Sequence, residues 1–464
     1  MCAMTRVVIV GGGPGGYESA LVAAQLGAEV TVVDRDGLGG SCVLTDCVPS
    51  KTLIATAEFM TSAADSGPLG VRIAGGGPAA VSVDLGEVNA RVKRLAAAQS
   101  ADIEARLARE GVRVVKGRGR LEGPSVVVAT DAAGAEQALP ADAILISTGA
   151  RPRVVAGAEP DGERILTWEQ VYDLDVLPEK LIVVGSGVTG AEFASAYNAL
   201  GSEVVLVSSR EHVLPGEDPD AARVLEDVFA RRGMQVLGRS RAQSAVRTAD
   251  GVVVTLADGS TVEGTHVLMA VGSLPNTEGI GLVESGVTLN DSGYVRVDRV
   301  SRTAARGVYA AGDVTGVLML ASVAAMQGRI AMWHALGDAV DPLDLRTVSS
   351  NVFTDPEIAT IGVTQADLDS GAEDVRVVKL PLATNARAKM QNLSDGFVKL
   401  FCRPGTGIVV GGVVVAPQAS ELIHPITIAV KHRLTVDDVA ATFTVYPSLT
   451  GSIAEAARQL HTHA

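Results

Sequence analysis

Apolar and glycine positions near the N-terminus follow a strand–helix–strand pattern. A continuous apolar run, Val7–Val10, leads into the glycine-rich stretch 11–16, which opens a segment of helix-forming residues at 17–26. A second apolar run, 29–33, ends at Asp34. Apolar runs of this kind predict buried parallel strands, and the glycines between strand and helix are typical of a nucleotide-binding turn.

The same pattern returns in the middle of the chain. The run 181–184 is followed by glycines at 185–190, a predicted helix over 191–200 and a strand over 203–207. The distance from first glycine to strand end is equal in the two copies, Gly11 to Asp34 and Gly185 to Ser208. Two β-α-β units predict an α/β protein with two doubly wound sheets.

The rest of the chain divides into segments of different periodicity. Residues 86–110 predict a long amphipathic helix whose related faces carry Val88, Val92, Leu95, Ile103 and Leu107. Alternating runs over 244–270 predict an antiparallel meander. Beyond about 345 the pattern predicts strands in 350–363, 375–381 and 396–415 and helices over 418–432 and 450–461, an α+β module without a glycine fingerprint.

Composition narrows the function classes. The formal net charge of -14 argues against nucleic-acid binding, which needs a basic face to neutralise phosphates. No apolar run approaches the ~20 residues that span a bilayer, and the N-terminus lacks a cleavable signal, so we expect a cytoplasmic protein without membrane insertion. Four cysteines (Cys2, Cys42, Cys47 and Cys402) are too few for a disulfide scaffold in a chain of 464 residues.

The glycine spacings predict dinucleotide binding for a physical reason. The first glycine permits a tight turn, the second lets a pyrophosphate approach the backbone, and the third allows close helix packing. Asp34 can accept both hydroxyls of an unphosphorylated ribose, which suits FAD. Ser208 leaves the second site without this carboxylate, and Arg210 or His212 could pair with a 2′-phosphate, so we expect NADPH to be accepted.

Cys42 and Cys47 are the only cysteines close in sequence, and Pro49 places Cys47 near a helix N-terminus, where a thiolate is stabilised. On spacing alone, a redox pair and two small buried thiols are equally good interpretations. Neither a histidine nor a second cysteine pair lies nearby, so the sequence predicts no metal site.

These motifs together resemble the pyridine nucleotide-disulfide oxidoreductases, the family of lipoamide dehydrogenase and glutathione reductase. The resemblance extends along the whole chain and rests on the stretches Gly39–Lys51, Ser147–Pro152, Gly190–Glu192, Gly272–Asn276, Tyr309–Asp313 and Phe353–Glu357. It implies a glutathione reductase-like fold with FAD and NAD(P) domains and a C-terminal α+β dimerisation domain. The implied domains are 1–152 and 276–345 (FAD-binding, the latter also central), 153–275 (NAD(P)-binding) and 346–464 (dimerisation).

The resemblance also implies roles for individual residues. Cys47 would be the thiol against the flavin and Cys42 the outer, interchange thiol. Lys51 would lie near flavin N5 and pair with Glu192, and Asp313 would bind the ribityl chain. The predicted FAD-contacting positions are Gly11, Gly13, Pro14, Gly16, Asp34, Arg35, Gly40, Ser41, Lys51, Gly119, Thr148, Gly149, Gly312, Asp313 and Ala321. The predicted NAD(P)-contacting positions are Gly185, Gly187, Val188, Thr189, Gly190, Glu192, Ser208, Ser209, Arg210 and Gly272.

One departure from the family pattern bears on the acceptor. Disulfide reductases of the family carry a histidine–proline near the C-terminus and a glutamate four residues after that proline, which together move protons for the dithiol. This chain has Tyr446 before Pro447 and Gly451 at the glutamate position. It therefore looks most like the NAD(P)H quinone reductase branch, a homodimer that passes electrons to a quinone or another small acceptor, with Tyr446 as the catalytic residue at the base position.

Three other functions stay open from the sequence. A lipoamide dehydrogenase-like disulfide reductase would use Cys42 and Cys47 with an unrecognised base. A soluble pyridine nucleotide transhydrogenase shares the tyrosine, but that branch lacks the paired cysteines. A flavin-carrying redox sensor would keep the fold without turnover.

Overall fold

The computed structural model describes residues 4–73 and 81–461. Cys2 and the outer ends of the first and last predicted domains, residues 1–3 and 462–464, lie outside the described residues. Contacts group the chain into two compact units. Unit 1 contains residues 1–52, 89–153 and 272–344, and unit 2 contains 53–88, 154–271 and 345–464. The finer division into four segments stays a prediction.

The strands, in chain order, are β1 (Arg6–Val10), β2 (Glu29–Asp34), β3 (Arg113–Lys116), β4 (Arg118–Leu121), β5 (Val126–Thr130), β6 (Glu136–Pro140), β7 (Ala143–Ile146), β8 (Ala150–Pro152), β9 (Ile165–Leu166), β10 (Lys180–Val184), β11 (Glu203–Val207), β12 (Gln235–Leu237), β13 (Ala242–Arg247), β14 (Val252–Leu256), β15 (Thr261–Gly264), β16 (His266–Met269), β17 (Ser273–Pro275), β18 (Val308–Ala310), β19 (Ser349–Val352), β20 (Glu357–Gly362), β21 (Arg376–Pro381), β22 (Phe397–Cys402) and β23 (Val409–Ala416). The helices are α1 (Pro14–Gln25), α2 (Gly40–Leu44), α3 (Cys47–Ala64), α4 (Leu85–Arg109), α5 (Val188–Leu200), α6 (Pro219–Arg231), α7 (Ala321–Ala335), α8 (Gln365–Asp369), α9 (Ala386–Met390), α10 (Ala419–His432), α11 (Val436–Ala441) and α12 (Gly451–Gln459).

Unit 1 is built on a parallel sheet of order β18-β7-β1-β2-β3. Strand β1 pairs in register with β2 on one side and β7 on the other, so the glycine turn that follows β1 lies at the centre of the carboxyl edge. The antiparallel strands β4, β5 and β6 cover one face with a shared apolar core, while α1, α4 and α7 pack on the other.

Unit 2 repeats this architecture and adds a second sheet. Its parallel sheet has the order β12-β11-β10-β16-β9, and the predicted meander is present as β13, β14 and β15. The second sheet is antiparallel, of order β19-β20-β23-β22-β21, and α10 and α12 pack on it. The predicted α/β class, with a C-terminal α+β module, is therefore confirmed.

Several elements differ in detail from the sequence-based expectations. The runs 350–363 and 396–415 each contain two strands joined by a turn, and in the first of them Pro356, which has no amide donor, lies in the break. Leu95, which the apolar pattern placed on a face related to that of Val92 and Ile103, is 41% exposed in α4, and the adjacent Ala96 is buried. The apolar periodicity was shifted there by one residue. Helix α2, which carries Cys42, was not predicted.

Candidate active site

The first glycine fingerprint forms an open cradle at the start of α1. Gly11 has φ +102°, and a Cβ added to it would lie 2.2 Å from the Ser147 carbonyl oxygen. A Cβ on Gly16 would lie 1.9 Å from the carbonyl oxygen of Gly11. By contrast, nothing lies within 4 Å of a Cβ at Gly13, which is the N-cap of a helix beginning at Pro14 and has no side-chain cap. The free amides and open space fit a diphosphate.

Asp34 fixes the loop beside this cradle. Its Oδ2 accepts a 2.7 Å hydrogen bond from the Gly12 amide, and its Oδ1 accepts bonds from the amides of Asp36 and Gly37 at 3.0 and 2.7 Å. The carboxylate thus lies directly over the glycine turn, where the fingerprint places an adenosine ribose. Arg35 points to the surface and pairs with Asp36.

The turn after β18 holds a buried carboxyl group. Gly312 has φ +85° and its amide donates a 2.9 Å hydrogen bond to Gln327 Oε1 in α7. The next residue, Asp313, begins a 3-10 turn, and burial raises the pKa of its carboxyl group. Gln327 is only 1% exposed. Sequence reasoning missed this glutamine, because only the tertiary structure brings it close to the Gly312 amide.

Cys42 and Cys47 are in contact in unit 1. Cys42 lies in α2 and Cys47 is the first residue of α3, so the sequence correctly placed Cys47 at a helix N-terminus. Both are free thiols, and a hydrogen bond between them lowers the pKa of Cys42 and raises that of Cys47. Lys51, one turn along α3, lowers both pKa values, whereas Asp313 raises that of Cys42. The thiols, Lys51 and Asp313 therefore form one electrostatic cluster.

Six further predicted FAD positions lie at turns, helix starts and close backbone contacts. A Cβ at Gly40 would lie 2.9 Å from Gly13 Cα, so α2 packs directly on the cradle and brings Ser41 with it. A Cβ at Gly119 would lie 2.7 Å from the Val10 side chain. Thr148 and Asn276 exchange two side-chain–backbone bonds of 2.8 and 2.9 Å. The remaining two positions, Gly149 and Ala321, are respectively a left-handed residue and the first residue of α7.

The second fingerprint reproduces this geometry in unit 2. Gly185 has φ +114° with its added Cβ 2.1 Å from the Ala270 carbonyl oxygen, and a Cβ on Gly190 would lie 1.8 Å from the Gly185 carbonyl oxygen. Gly187, like Gly13, has no atom within 4 Å of an added Cβ and is an N-cap without a side-chain cap. Val188 and Thr189 form the first turn of α5. This second cradle also fits a diphosphate.

The residue that follows β11, Ser208, is uncharged. Ser208 is fully buried, and its hydroxyl is 2.7 Å from Ser186 Oγ and 3.0 Å from the Arg210 carbonyl oxygen, to which it donates. Ser209 and Arg210 are exposed. His212, the other predicted phosphate partner, has Nδ1 3.3 Å from Glu226 and is already paired.

Glu192 is buried in α5 and joins the nucleotide fingerprint to the start of the C-terminal sheet. Its Oε1 accepts a 2.9 Å hydrogen bond from the Phe353 amide, while Ser195 Oγ accepts one of 3.3 Å from the Asp355 amide. The sequence did not predict this link. The pairing of Glu192 with Lys51 stays a prediction, as does a nicotinamide-side role for Gly272, a left-handed residue bonded through its carbonyl to the Arg153 amide.

Tyr446 lies in an exposed apolar segment. It is 84% exposed and precedes a cis peptide bond to Pro447, while Phe443 and Val445 are 102% and 78% exposed. Gly451 begins α12. The nearest described histidine–carboxylate pair along the chain is His461–Asp437, with Nδ1 2.6 Å from Oδ1, and both its side chains are largely exposed. The motif at 446–451 therefore contains no imidazole–carboxylate pair.

Two models of one protein family match this chain. Residues 5–328 match the model described as pyridine nucleotide-disulphide oxidoreductase, and residues 348–457 match the dimerisation domain of the same family. The chain belongs to the pyridine nucleotide-disulphide oxidoreductase family. Enzymes of this family are flavoprotein oxidoreductases that use FAD and NAD(P)H, and the two cradles fit these two dinucleotides.

Relatives within the family carry two different names. An NAD(P)H dehydrogenase (quinone) of Mycobacterium tuberculosis is 57% identical over 469 residues, covering 99% of this chain and 94% of the relative. A dihydrolipoyl dehydrogenase of Chlorobaculum parvum is 32% identical over 455 residues, covering 97% and 96%. The resemblance stated from the motifs is therefore confirmed.

Solved structures of the family agree on the fold. LpdA from Mycobacterium tuberculosis superposes with a TM-score of 0.94 at 56% identity, covering 99% of this chain and 100% of that one. The flavoprotein disulfide reductase RclA from Escherichia coli has a TM-score of 0.86 at 23% identity, which shows the fold alone.

Within residues 4–73 and 81–461, no helix is both long enough and apolar enough to cross a bilayer. In the same part of the chain, no group of three or more histidine, cysteine or acidic residues could hold a metal ion.

Proposed function

We propose that this enzyme transfers hydride from NAD(P)H through FAD to a quinone. The observation that carries the proposal is the replacement of the imidazole–carboxylate motif by Tyr446 and Gly451. The 57% identical relative named NAD(P)H dehydrogenase (quinone) supports it independently. Bound FAD would accept the hydride at its N5 atom and pass two electrons to the acceptor.

The proposal follows from what each acceptor demands of the protein. Reduction of a disulfide expels a thiolate that a nearby acid must protonate, and an imidazole does this near neutral pH. Tyr446 offers a phenol in place of this imidazole, and a phenol is a poorer proton shuttle than an imidazole near neutral pH. A quinone receives its electrons from the flavin itself and can take its protons from water. The exposed apolar side chains of Phe443 and Val445 beside Tyr446 suit such a ring.

We assign roles to the residues of the two units as follows. The cradle at Gly13 and the carboxylate of Asp34 hold the FAD diphosphate and ribose, and Asp313 holds the ribityl chain. The cradle at Gly187 holds the NAD(P)H diphosphate. Lys51 lies beside the flavin ring, where its charge favours the reduced ring and the thiolate of Cys42 or Cys47.

We further propose that NADPH is accepted as well as NADH. The strand end that bears a carboxylate in the FAD cradle bears the buried Ser208 in the nicotinamide cradle, so no side chain of β11 repels a 2′-phosphate there. A preference for NADH of about tenfold or more in flavin reduction, or about 1.4 kcal/mol, would exclude this part of the proposal.

We propose a cytoplasmic homodimer as the working state. The family's dimerisation domain is present at 348–457. Light scattering of the purified protein tests the stoichiometry, and a monomer would contradict it.

Anaerobic half-reactions test the acceptor. The enzyme is first reduced with NADH or NADPH and then mixed with menadione, lipoamide, glutathione disulfide or NAD. We expect rapid flavin reoxidation by menadione and slow reoxidation by the two disulfides. Fast reoxidation by lipoamide with none by menadione would overturn the quinone assignment, and NAD as the sole rapid acceptor would indicate a transhydrogenase. No reoxidation by any acceptor would indicate a redox sensor.

A disulfide reductase remains the second candidate, because Cys42 and Cys47 are in hydrogen-bond contact and this hydrogen bond lowers the pKa of Cys42. A disulfide reductase would need a base other than the missing imidazole. On the C-terminal side of the Tyr446 motif, the described histidine nearest in sequence is His461, which is paired with Asp437. Lipoamide reduction that disappears in both Cys42→Ser and His461→Ala would favour this candidate.

A further inference from the structure

The loop that follows β11 is fastened to the loop that follows β12. The Ser208 amide donates to the Leu237 carbonyl oxygen at 2.9 Å, and the Ser240 amide donates back to Ser208 at 2.7 Å. Next to this pair, the Arg239 amide donates to the Arg210 carbonyl oxygen at 2.7 Å. Two residues that are distant in sequence, Arg210 and Arg239, are therefore neighbours at the strand end where a dinucleotide fingerprint places the adenosine ribose.

Arg239 is held in this place by an uncommon backbone conformation. Its φ is +54°, a left-handed value that residues with a side chain rarely adopt. Its amide is bonded to the Arg210 carbonyl oxygen, and its guanidinium forms an ion pair with Glu211. Both side chains of that pair are largely exposed, at 73% and 59%. The Arg239 guanidinium is thus accessible, and the Glu211 carboxylate paired with it is exposed to water.

We propose that Arg239 is a binding residue for the 2′-phosphate of NADPH and that Glu211 occupies its guanidinium when no phosphate is bound. The inference rests on the proposed use of NADPH and names the residues that recognise it. A phosphate carries more charge than a carboxylate and binds a guanidinium through two parallel hydrogen bonds, so it displaces Glu211 from an exposed pair. Arg210 approaches from the other loop.

Glu211 then sets the coenzyme preference. The Glu211 carboxylate competes with a phosphate for Arg239 and also repels that phosphate. NADH has no 2′-phosphate, so it can bind without displacing Glu211 from Arg239. The enzyme therefore gains little from the 2′-phosphate and accepts both coenzymes. Removing the carboxylate should favour NADPH, and removing the guanidinium should favour NADH.

Binding of nucleotide fragments to the FAD-loaded enzyme tests this without any electron acceptor. Adenosine 2′,5′-bisphosphate and AMP differ only in the 2′-phosphate, and calorimetry gives both dissociation constants. Arg239→Gln should raise the dissociation constant of the bisphosphate about tenfold and that of AMP less than about twofold. Glu211→Gln should lower that of the bisphosphate about threefold. High salt should weaken bisphosphate binding in the wild type more than in Arg239→Gln.

Two variants control for structural effects. Arg239→Gly removes the guanidinium while keeping a residue that adopts a left-handed φ readily, so it should match Arg239→Gln. Arg247→Gln removes another exposed arginine of the same unit, paired with Glu163 at 2.6 Å, and should change neither constant. Equal loss of both ligands in Arg239→Gln would mean contact with the adenosine and would overturn the proposal, as would no change. If the wild type bound AMP more tightly than the bisphosphate, the proposed use of NADPH would be contradicted instead. None of these outcomes depends on whether the acceptor is a quinone.

Discussion

Lys399 Nζ lies 2.8 Å from Asp218 Oδ2, and both side chains are only 2% exposed. Asp218 is the N-cap of α6 and also accepts hydrogen bonds from the amides of Asp220 and Ala221. Asp220 contacts the same ammonium at 2.7 Å, and Gln365 Oε1 lies 3.3 Å from it. A lysine of the C-terminal sheet is therefore fixed against the first turn of a helix in the nucleotide-binding part of unit 2.

Replacement of Lys399 by methionine should destabilise the enzyme strongly. The change leaves Asp218 buried and without its counter-ion, which costs about 3–5 kcal/mol. Lys379→Met is the matched control, because Lys379 contacts Asp220 at 3.0 Å but is 45% exposed, and the loss there should be about 0–1 kcal/mol. Urea unfolding followed by circular dichroism measures both midpoints. Equal shifts in the two variants would contradict the role given to the buried pair.

The reactivity of Cys42 should depend on Cys47 and Lys51. The hydrogen bond from Cys47 lowers the pKa of Cys42, so alkylation of the reduced enzyme should begin at a pH below that of an ordinary cysteine, about 8.5. Cys47→Ala removes the donor and leaves burial, which should move the profile to higher pH, and Lys51→Met should shift it in the same direction. Mass spectrometry of alkylated peptides measures each profile. Buried Cys402, whose pKa is raised by burial, is the internal control. A profile unchanged by both variants would contradict the assignment.

Local patterns in the sequence were sufficient to predict the strands and helices that surround the two cradles. Glycines at fixed spacing after an apolar strand are a short-range signal, and both units have the predicted β-α-β core. The first glycines needed φ values above +100°, which glycine adopts without steric cost.

Contacts between distant polar residues could not be predicted in the same way. Lys399 lies in β22, where all six residues are buried, and the periodicity of Phe397–Cys402 gives no sign that its lysine meets an aspartate of α6. Gln327 and Arg239 were missed for the same reason, because their partners, Gly312 and Arg210, are brought together only by tertiary structure.

Alanine at the middle glycine of each fingerprint should separate the two cofactor sites. A Cβ at Gly13 or Gly187 meets no protein atom, and neither residue has a left-handed φ, so both variants should fold. Gly13→Ala should purify with reduced FAD content, because its methyl group fills the diphosphate cradle. Gly187→Ala should keep FAD and raise the KM for NAD(P)H about tenfold or more.

Each of these two variants is the control for the other, and absorbance spectra with steady-state kinetics measure both effects. Gly16→Ala should fail to fold, because its Cβ would lie 1.9 Å from a carbonyl oxygen. Loss of FAD in Gly187→Ala with none in Gly13→Ala would reverse the assignment of the two cradles.

Restoring the missing proton-transfer pair should create disulfide reductase activity. The double variant Tyr446→His with Gly451→Glu supplies an imidazole and a carboxylate at the family positions. Glutamate fits at 451, because an added Cβ lies no closer than 3.9 Å to other side chains and a negative charge is favoured at the start of α12. A positioned general acid–base contributes about 10²–10⁴-fold, so lipoamide reduction should rise by at least about tenfold in the double variant and much less in either single one. Quinone reduction should persist. If the folded, FAD-loaded double variant gained no lipoamide activity, the absence of this pair would not be what directs electrons away from disulfides.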